Sequence, residues 1–120
     1  TAMLMQNANS ALVAPDTRAV RQGLAREDLF LCVHEQFMTA TARYADIVLP
    51  ASMFLEHDDM YKGGGHTYLQ VTRKIIEPYA ECRSNHDVIC ALAVRLGADH
   101  PGFTMTPWEL IDQSLKASGQ

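Results

Sequence analysis

Two short apolar runs constrain the fold of this chain more than any other feature of its sequence. The runs are Leu29–Val33 and Ile47–Leu49, and neither alternates between apolar and polar residues. This pattern is typical of strands that are buried on both faces of a parallel sheet. Pro50 ends the second run, because proline cannot donate to a central ladder. A third short apolar segment, Ala2–Gln6, precedes both and predicts a first strand.

Helical patterns separate these extended runs. Asp16 is a favourable N-cap for a helix through about Arg26, which carries Val20 and Leu24 four residues apart on one face. Residues 39–45 predict one or two further helical turns, with a threonine as the cap. Strand, helix, strand, helix and strand in this order indicate a βαβαβ unit with right-handed crossovers.

The second half of the chain predicts mainly helices. The pattern loosens from Met53 to Tyr79, where residues 67–72 and 74–76 are candidates for short strands. A capping-box start at residues 84–87 opens a helix that Gly97 closes, and a second such start lies at residues 106–109. The fold class is therefore predicted to be α/β.

Composition and charge exclude several classes of function. Apolar residues make up 48% of the chain and charged residues 20%, as in a soluble globular protein. The net charge is −4 and the basic residues are scattered, which argues against nucleic-acid binding. No apolar run approaches the roughly 20 residues that a membrane span requires, and the first residues lack the basic start of a signal peptide.

The three cysteines, Cys32, Cys82 and Cys90, form no Cys-x-x-Cys pair and are odd in number. We expect buried structural thiols in a reducing compartment, rather than disulfides or an iron–sulfur site.

Ligands of open parallel sheets bind beyond the carboxyl ends of the strands. Residues 7–10, 34–36 and 50–52 follow the three predicted strands and are polar or small. Asn9 has two interpretations there, local backbone bonding in a turn or contact with a ligand. Glu35 is either a capping or salt-bridging residue or a carboxylate that faces a nucleotide hydroxyl or base edge. Ordinary NAD or FAD binding is disfavoured, because the first turn lacks the Gly-x-Gly-x-x-Gly pattern.

Neither a catalytic residue nor a metal site is predicted in this chain. The five histidines share no metal-ligand spacing, and no Gly-x-Ser-x-Gly elbow is present. Residues 56–59 form a dense polar cluster that could suggest a divalent ion. A solvated acidic loop is the favoured interpretation of that cluster.

Residues 36–50 carry a much more specific pattern, and they read QFMTATARYADIVLP. This stretch closely resembles a signature of the dimethyl sulfoxide reductase family, the molybdenum or tungsten enzymes that use a bis(molybdopterin guanine dinucleotide) cofactor. Residues 7–10 resemble the Gly-x-Asn-Pro turn of that family, although Ser10 replaces the proline. Residues 77–85 resemble the passage that leads into a long helix, and the likeness covers about residues 3–97.

The resemblance implies a Rossmann-like domain with a short, mainly parallel sheet flanked by helices. We expect a single domain with three parts. They are a nucleotide-binding βαβαβ core over residues 1–52, a loop-rich excursion over 53–83 and two C-terminal helices over 84–120. The domain would hold the guanosine and diphosphate end of one molybdopterin guanine dinucleotide. The positions implied to contact the cofactor are Asn9, His34, Glu35, His57 and Asn85.

The resemblance also implies a larger bacterial or archaeal parent that performs two-electron redox chemistry at molybdenum or tungsten. Its partners would be the remaining domains of that enzyme, where an iron–sulfur cluster could also lie. We expect a cytoplasmic location, with export of the folded parent to the periplasm as the alternative. The isolated fragment is expected to be inactive and to hold no cofactor. The alternative function is a stand-alone α/β interaction module that has lost the cofactor.

Overall fold

A computed structural model describes residues 1–119, which form a first compact unit over Thr1–Ala51 and a second that begins at Ser52. The first unit contains a parallel sheet of three strands in the order β1 (Ala2–Gln6), β2 (Phe30–Glu35) and β3 (Ile47–Pro50). Gln6 pairs with His34, and Glu35 pairs with Pro50. The predicted α/β class with a short parallel sheet is confirmed.

Helices connect these strands, as the sequence predicts. Helix α1 (Ser10–Val13) is a single turn that the sequence analysis does not anticipate, and helix α2 (Thr17–Leu24) follows it. Asp16 caps α2, since its Oδ1 accepts the Ala19 N–H at 3.1 Å. The helix ends two residues before the predicted Arg26. Glycine at position 23 lowers helix stability near this end.

The segment between β2 and β3 contains a short 3₁₀ turn at Ala42–Tyr44. The Thr39 Oγ1, expected to cap this turn, accepts the Ala42 N–H at 3.2 Å. The residue directly before the turn is Thr41, whose side chain makes no capping hydrogen bond. The Asp46 carboxylate accepts the Leu31 N–H at 2.7 Å, and the Asp46 N–H donates to the Leu31 carbonyl at 2.9 Å. These two bonds join the start of β3 to the first half of β2.

The core of the first unit is built on β2, which lies between the other two strands. Leu31 and Val33 are fully buried, and the cluster around them consists of Ala11, Leu24 and Ala42. The third strand differs from the prediction of a buried strand, because Ile47 is 45% exposed and Val48 is 36% exposed. An apolar run predicts burial on both faces, but β3 is an edge strand of this sheet.

The second unit combines a hairpin with two helices. Strands β4 (Asp59–Lys62) and β5 (Leu69–Thr72) pair antiparallel, with Asp59 opposite Thr72. The sequence predicts β5 but not β4, whose polar residues resemble a loop, and residues 74–76 form no strand.

Both predicted helices of the second unit are confirmed, with their caps. Helices α3 (Asn85–Arg95) and α4 (Pro107–Ala117) each begin with a capping box, and Gly97 follows α3 with a φ of 71°. None of the helices within residues 1–119 is long and apolar enough to cross a membrane.

The central position of β2 predicts a large difference between neighbouring substitutions. Leu31→Ala is expected to lower the free energy of unfolding by about 2–5 kcal/mol, because it leaves a cavity at a fully buried position. Phe30→Ala in the same strand is the control, since Phe30 is 49% exposed, and a smaller loss is expected. Urea denaturation followed by circular dichroism measures both, and equal losses would contradict the burial of Leu31 against the exposure of Phe30.

Candidate functional site

The carboxyl ends of the three parallel strands lie at one edge of the first unit. Gln6, Glu35 and Pro50 are the last residues of β1, β2 and β3, and the register places them side by side along this edge. Asn9, His34 and Glu35 are therefore brought to the same edge. His57 and Asn85 belong to the second unit and are described there.

Asn9 holds the turn after β1 together. Its Oδ1 accepts two hydrogen bonds from Thr41, from the backbone N–H at 3.2 Å and from the hydroxyl at 3.0 Å. The Thr41 Oγ1 in turn accepts the Ala11 N–H at 3.0 Å, and Thr41 is fully buried. The local interpretation predicts bonding within the turn, but the Asn9 side chain bonds instead to a residue 32 positions away, and its side-chain N–H₂ is the group that can face a ligand.

His34 is fully buried and lies beside Gln6 in the parallel register. Its Nδ1 is 3.1 Å from the Gln6 Nε2, and an amide nitrogen can only donate, so Nδ1 is the acceptor and a neutral ring carries its proton on Nε2. Sequence reasoning missed Gln6 and Thr41. The signal for Gln6 is its position opposite His34 when two parallel strands of similar length are aligned.

Glu35 is the half-buried carboxylate at this edge. Its Oε1 accepts the N–H of the next residue, Gln36, at 2.8 Å, and its own carbonyl accepts the Ala51 N–H at 3.1 Å. Within residues 1–51 the other carboxylate oxygen, Oε2, accepts no hydrogen bond, and Glu35 forms no ion pair. The salt-bridge interpretation is not supported inside this unit, and Oε2 remains an acceptor for a ligand.

In the second unit, both ring nitrogens of His57 face polar partners. The Ser52 Oγ lies 2.8 Å from Nδ1, and the Asp59 Oδ2 lies 3.6 Å from Nε2. Ser52 is buried and His57 is half-buried. Tyr61 lies near the same carboxylate, and burial first and the charge of Asp59 second raise the pKa of its phenol.

The acidic cluster at residues 56–59 is not the solvated loop that was predicted, because Glu56 is only 7% exposed. Its two carboxylate oxygens accept the backbone N–H of Met53 at 2.7 Å and of Tyr79 at 3.2 Å. Asp58 accepts the Lys74 N–H at 2.7 Å. These residues therefore connect loops, and within residues 1–119 no group of three or more metal-ligand side chains could hold an ion.

Asn85 is the first residue of α3 and is exposed. The helix start itself is capped by its neighbours, since the Ser84 Oγ accepts the Asp87 N–H at 3.1 Å and the Asp87 carboxylate accepts the Ser84 N–H at 3.3 Å. Capping therefore does not depend on the Asn85 side chain.

The three cysteines carry free thiols, as predicted, but they are half-buried rather than fully buried. Burial raises the pKa of the Cys32 thiol, which keeps it in the unreactive protonated form.

Comparison with known proteins identifies the family to which these residues belong. Residues 1–95 match the family described as molybdopterin oxidoreductase. The chain belongs to this family. The resemblance to dimethyl sulfoxide reductases is confirmed, since the molybdopterin oxidoreductase chain is 45% identical over 67 residues to the dimethyl sulfoxide/trimethylamine N-oxide reductase of Rhodobacter capsulatus. That match covers 54% of this chain and 8% of the relative.

Two further relatives extend the likeness along most of the molybdopterin oxidoreductase chain. The probable oxidoreductase YoaE of Bacillus subtilis is 45% identical over 118 residues, which cover 98% of this chain and 16% of the relative. The solved structure of acetylene hydratase from Pelobacter acetylenicus is 27% identical with a TM-score of 0.71, over 82% of this chain and 14% of that one. The chain thus spans less than a fifth of the length of these relatives.

The buried hydroxyl of Thr41 predicts a specific loss of stability. Thr41→Val removes the acceptor of the Ala11 N–H and the hydroxyl that donates to Asn9, so it is expected to lower the free energy of unfolding by about 1–3 kcal/mol. Thr41→Ser retains the hydroxyl and is the matched control. Chemical denaturation of both variants measures the difference, and a valine variant as stable as the serine variant would contradict this role.

Proposed function

We propose that the first unit binds the guanosine and diphosphate end of a molybdopterin guanine dinucleotide. The observation that carries this proposal is the Glu35 carboxylate, which is oriented by the Gln36 N–H and presents Oε2 at the carboxyl edge of the parallel sheet. Guanine carries an N1–H and an N2–H₂ donor on one edge. A carboxylate oxygen at this position fits the hydrogen-bond donors of guanine better than those of adenine.

The residues at this edge fit the nucleotide end of the cofactor by their donor and acceptor chemistry. Glu35 supplies an acceptor, and the Asn9 side-chain N–H₂ supplies a donor, because the Asn9 Oδ1 is engaged by Thr41. His34 is fully buried, so we assign it the role of holding the end of β1 through Gln6. The bound cofactor would supply two-electron redox chemistry at molybdenum or tungsten.

We assign the remaining two contacts to the second unit. His57 follows the buried Glu56, and Asn85 opens α3. Asn85 offers both a donor and an acceptor where the family usually has an acidic residue, so its contact with the nucleotide would carry no charge.

The parent protein is proposed to be an oxidoreductase whose remaining domains complete the cofactor site. Support comes from the names of the relatives, an oxidoreductase and a reductase, and from the small share of their length that the chain spans. An iron–sulfur cluster, where the parent has one, would lie in those domains. We infer a cytoplasmic location, and the alternative of a periplasmic parent is decided by fractionation of cells that produce it.

Binding of guanosine diphosphate tests the role of Glu35. We expect amide shifts at Asn9 and Glu35 on titration with guanosine diphosphate, and weaker shifts with adenosine diphosphate. Glu35→Gln is expected to weaken guanosine diphosphate binding by about tenfold or more, since a well-placed polar pair to a base is worth roughly 1–3 kcal/mol. Glu27→Gln is the control, because Glu27 is an exposed glutamate of the same unit.

The two functional classes predict different outcomes of this titration. Equal affinity of wild type and Glu35→Gln would refute the assignment of Glu35. A flat response to both nucleotides would instead favour a stand-alone interaction module.

Activity of the chain alone provides a separate test. The 120-residue chain, mixed with dimethyl sulfoxide and a reduced viologen dye, is expected to show no turnover, because one nucleotide-binding unit does not enclose a metal centre. Dye oxidation followed by absorbance measures this. Turnover with bound metal would contradict the assignment of the chain as a cofactor-binding part.

A further inference from the structure

Six large apolar side chains are exposed on two segments of the second unit. One segment directly follows Ser52, and the other follows β5. Single exposed apolar residues are common on protein surfaces, whereas a group of them marks a surface that another molecule or domain covers. We call this group the apolar patch, and its members are Met53, Phe54, Leu55, Ile75, Ile76 and Tyr79.

Hydrogen bonds hold the two segments of the apolar patch side by side. The Leu55 carbonyl accepts the Ile75 N–H at 2.9 Å. The buried Glu56 carboxylate bonds to both segments, since it accepts the N–H groups of Met53 and of Tyr79. The six side chains therefore share one part of the surface, and the backbone beneath them is already ordered. A partner that docked there would not have to order these segments first.

The charges beside the apolar patch cancel each other. Lys74 and Glu77 are the charged residues of the stretch 74–79, and the Lys74 Nζ lies 2.9 Å from each Glu77 carboxylate oxygen. Residues 53–55 carry no charge. Interfaces that stay buried permanently are more apolar than transient ones, and charged residues are depleted from the centre of an interface. The composition of the patch therefore fits a permanent interface.

We propose that the apolar patch is the docking surface for another domain of the parent protein. The patch lies inside residues 1–95, the part that matches the molybdopterin oxidoreductase family. In the relative YoaE of Bacillus subtilis the matching segment is 16% of the protein, so most of that chain is available to cover such a surface. A domain of the same polypeptide is a permanent partner, as the composition of the patch requires. This inference rests on the parent that is proposed above, and a second copy of the chain is the competing occupant.

Hydroxyl-radical footprinting of the parent and of the 120-residue chain tests this docking surface. Tyr79 is 79% exposed in the chain, and its oxidation rate is expected to fall severalfold in the parent, where the docked domain would cover it. Tyr68 is the matched control, because it is 75% exposed and lies outside the patch, directly before β5, so its rate should stay the same. Equal Tyr79 rates in parent and chain, or equal protection of both tyrosines, would overturn the proposal.

Substitution of the same two tyrosines gives a second measurement. Tyr79→Ser is expected to leave the stability of the 120-residue chain nearly unchanged, because the side chain is exposed and Glu56 accepts the backbone N–H rather than the phenol. In the parent, the same substitution should speed limited proteolysis severalfold, since the docked domain loses an apolar contact. Tyr68→Ser is the control and should change neither quantity. A parent that is cleaved equally fast with either substitution would contradict the docking role.

Sedimentation of the 120-residue chain tests the competing occupant. A monomer is expected, because the partner domain is not part of this chain. A dimer that Tyr79→Ser dissociates and Tyr68→Ser does not would overturn the proposal in favour of a second copy.

The outcomes also separate this inference from the proposed function. A fully reactive Tyr79 in a parent that binds guanosine diphosphate refutes the docking surface alone. A protected Tyr79 in a parent that does not bind guanosine diphosphate refutes the nucleotide site and supports the docking surface.

Discussion

The parallel pairing of β2 with a strand on each side is the constraint on which the first unit depends. It buries Leu31 and Val33 completely. It also places the carboxyl ends of all three strands at one edge of the sheet, where Glu35 and Asn9 lie. Parallel strands need long crossovers, and in the first unit side-chain hydrogen bonds connect the two crossovers to each other. The Thr41 hydroxyl does this between the first and second crossover, because it joins Asn9 to Ala11 while itself fully buried.

The features that could be predicted from sequence are those with local causes. Asp16, Ser84 and Thr106 all cap helices where their spacing to the following residues indicated. The positions of the three strands along the first unit also followed from the apolar runs. The exposure of β3 could not be predicted in this way, because periodicity reports which residues are apolar and cannot report whether another layer covers them.

The candidate site, like the fold, could be predicted from the sequence only in part. The carboxyl ends of the strands were found from the sequence, since parallel topology alone places them at one edge. The partners of the side chains were not, because Gln6 and His34 are 28 residues apart and Ser52, His57 and Asp59 lie in segments without regular spacing. The misinterpretation of Glu56 has this origin. A run of acidic residues resembles a solvated loop, and only the structure shows that the Glu56 carboxylate accepts the backbone N–H groups of Met53 and Tyr79.

Three carboxylates of this chain differ in the hydrogen bonds that they accept, and the difference bears on the role proposed for Glu35. Asp46 accepts the N–H of Leu31, 15 residues away, and Glu56 accepts the N–H of Tyr79, 23 residues away, so each closes a long-range connection. Within residues 1–51, the Glu35 carboxylate accepts only the N–H of the residue that follows it. Loss of Asp46 or Glu56 would leave distant backbone donors unsatisfied at a cost of about 1–3 kcal/mol, whereas loss of Glu35 would break no such connection. A half-buried carboxylate that closes no long-range connection, at the edge where parallel sheets bind their ligands, fits the nucleotide contact proposed for Glu35.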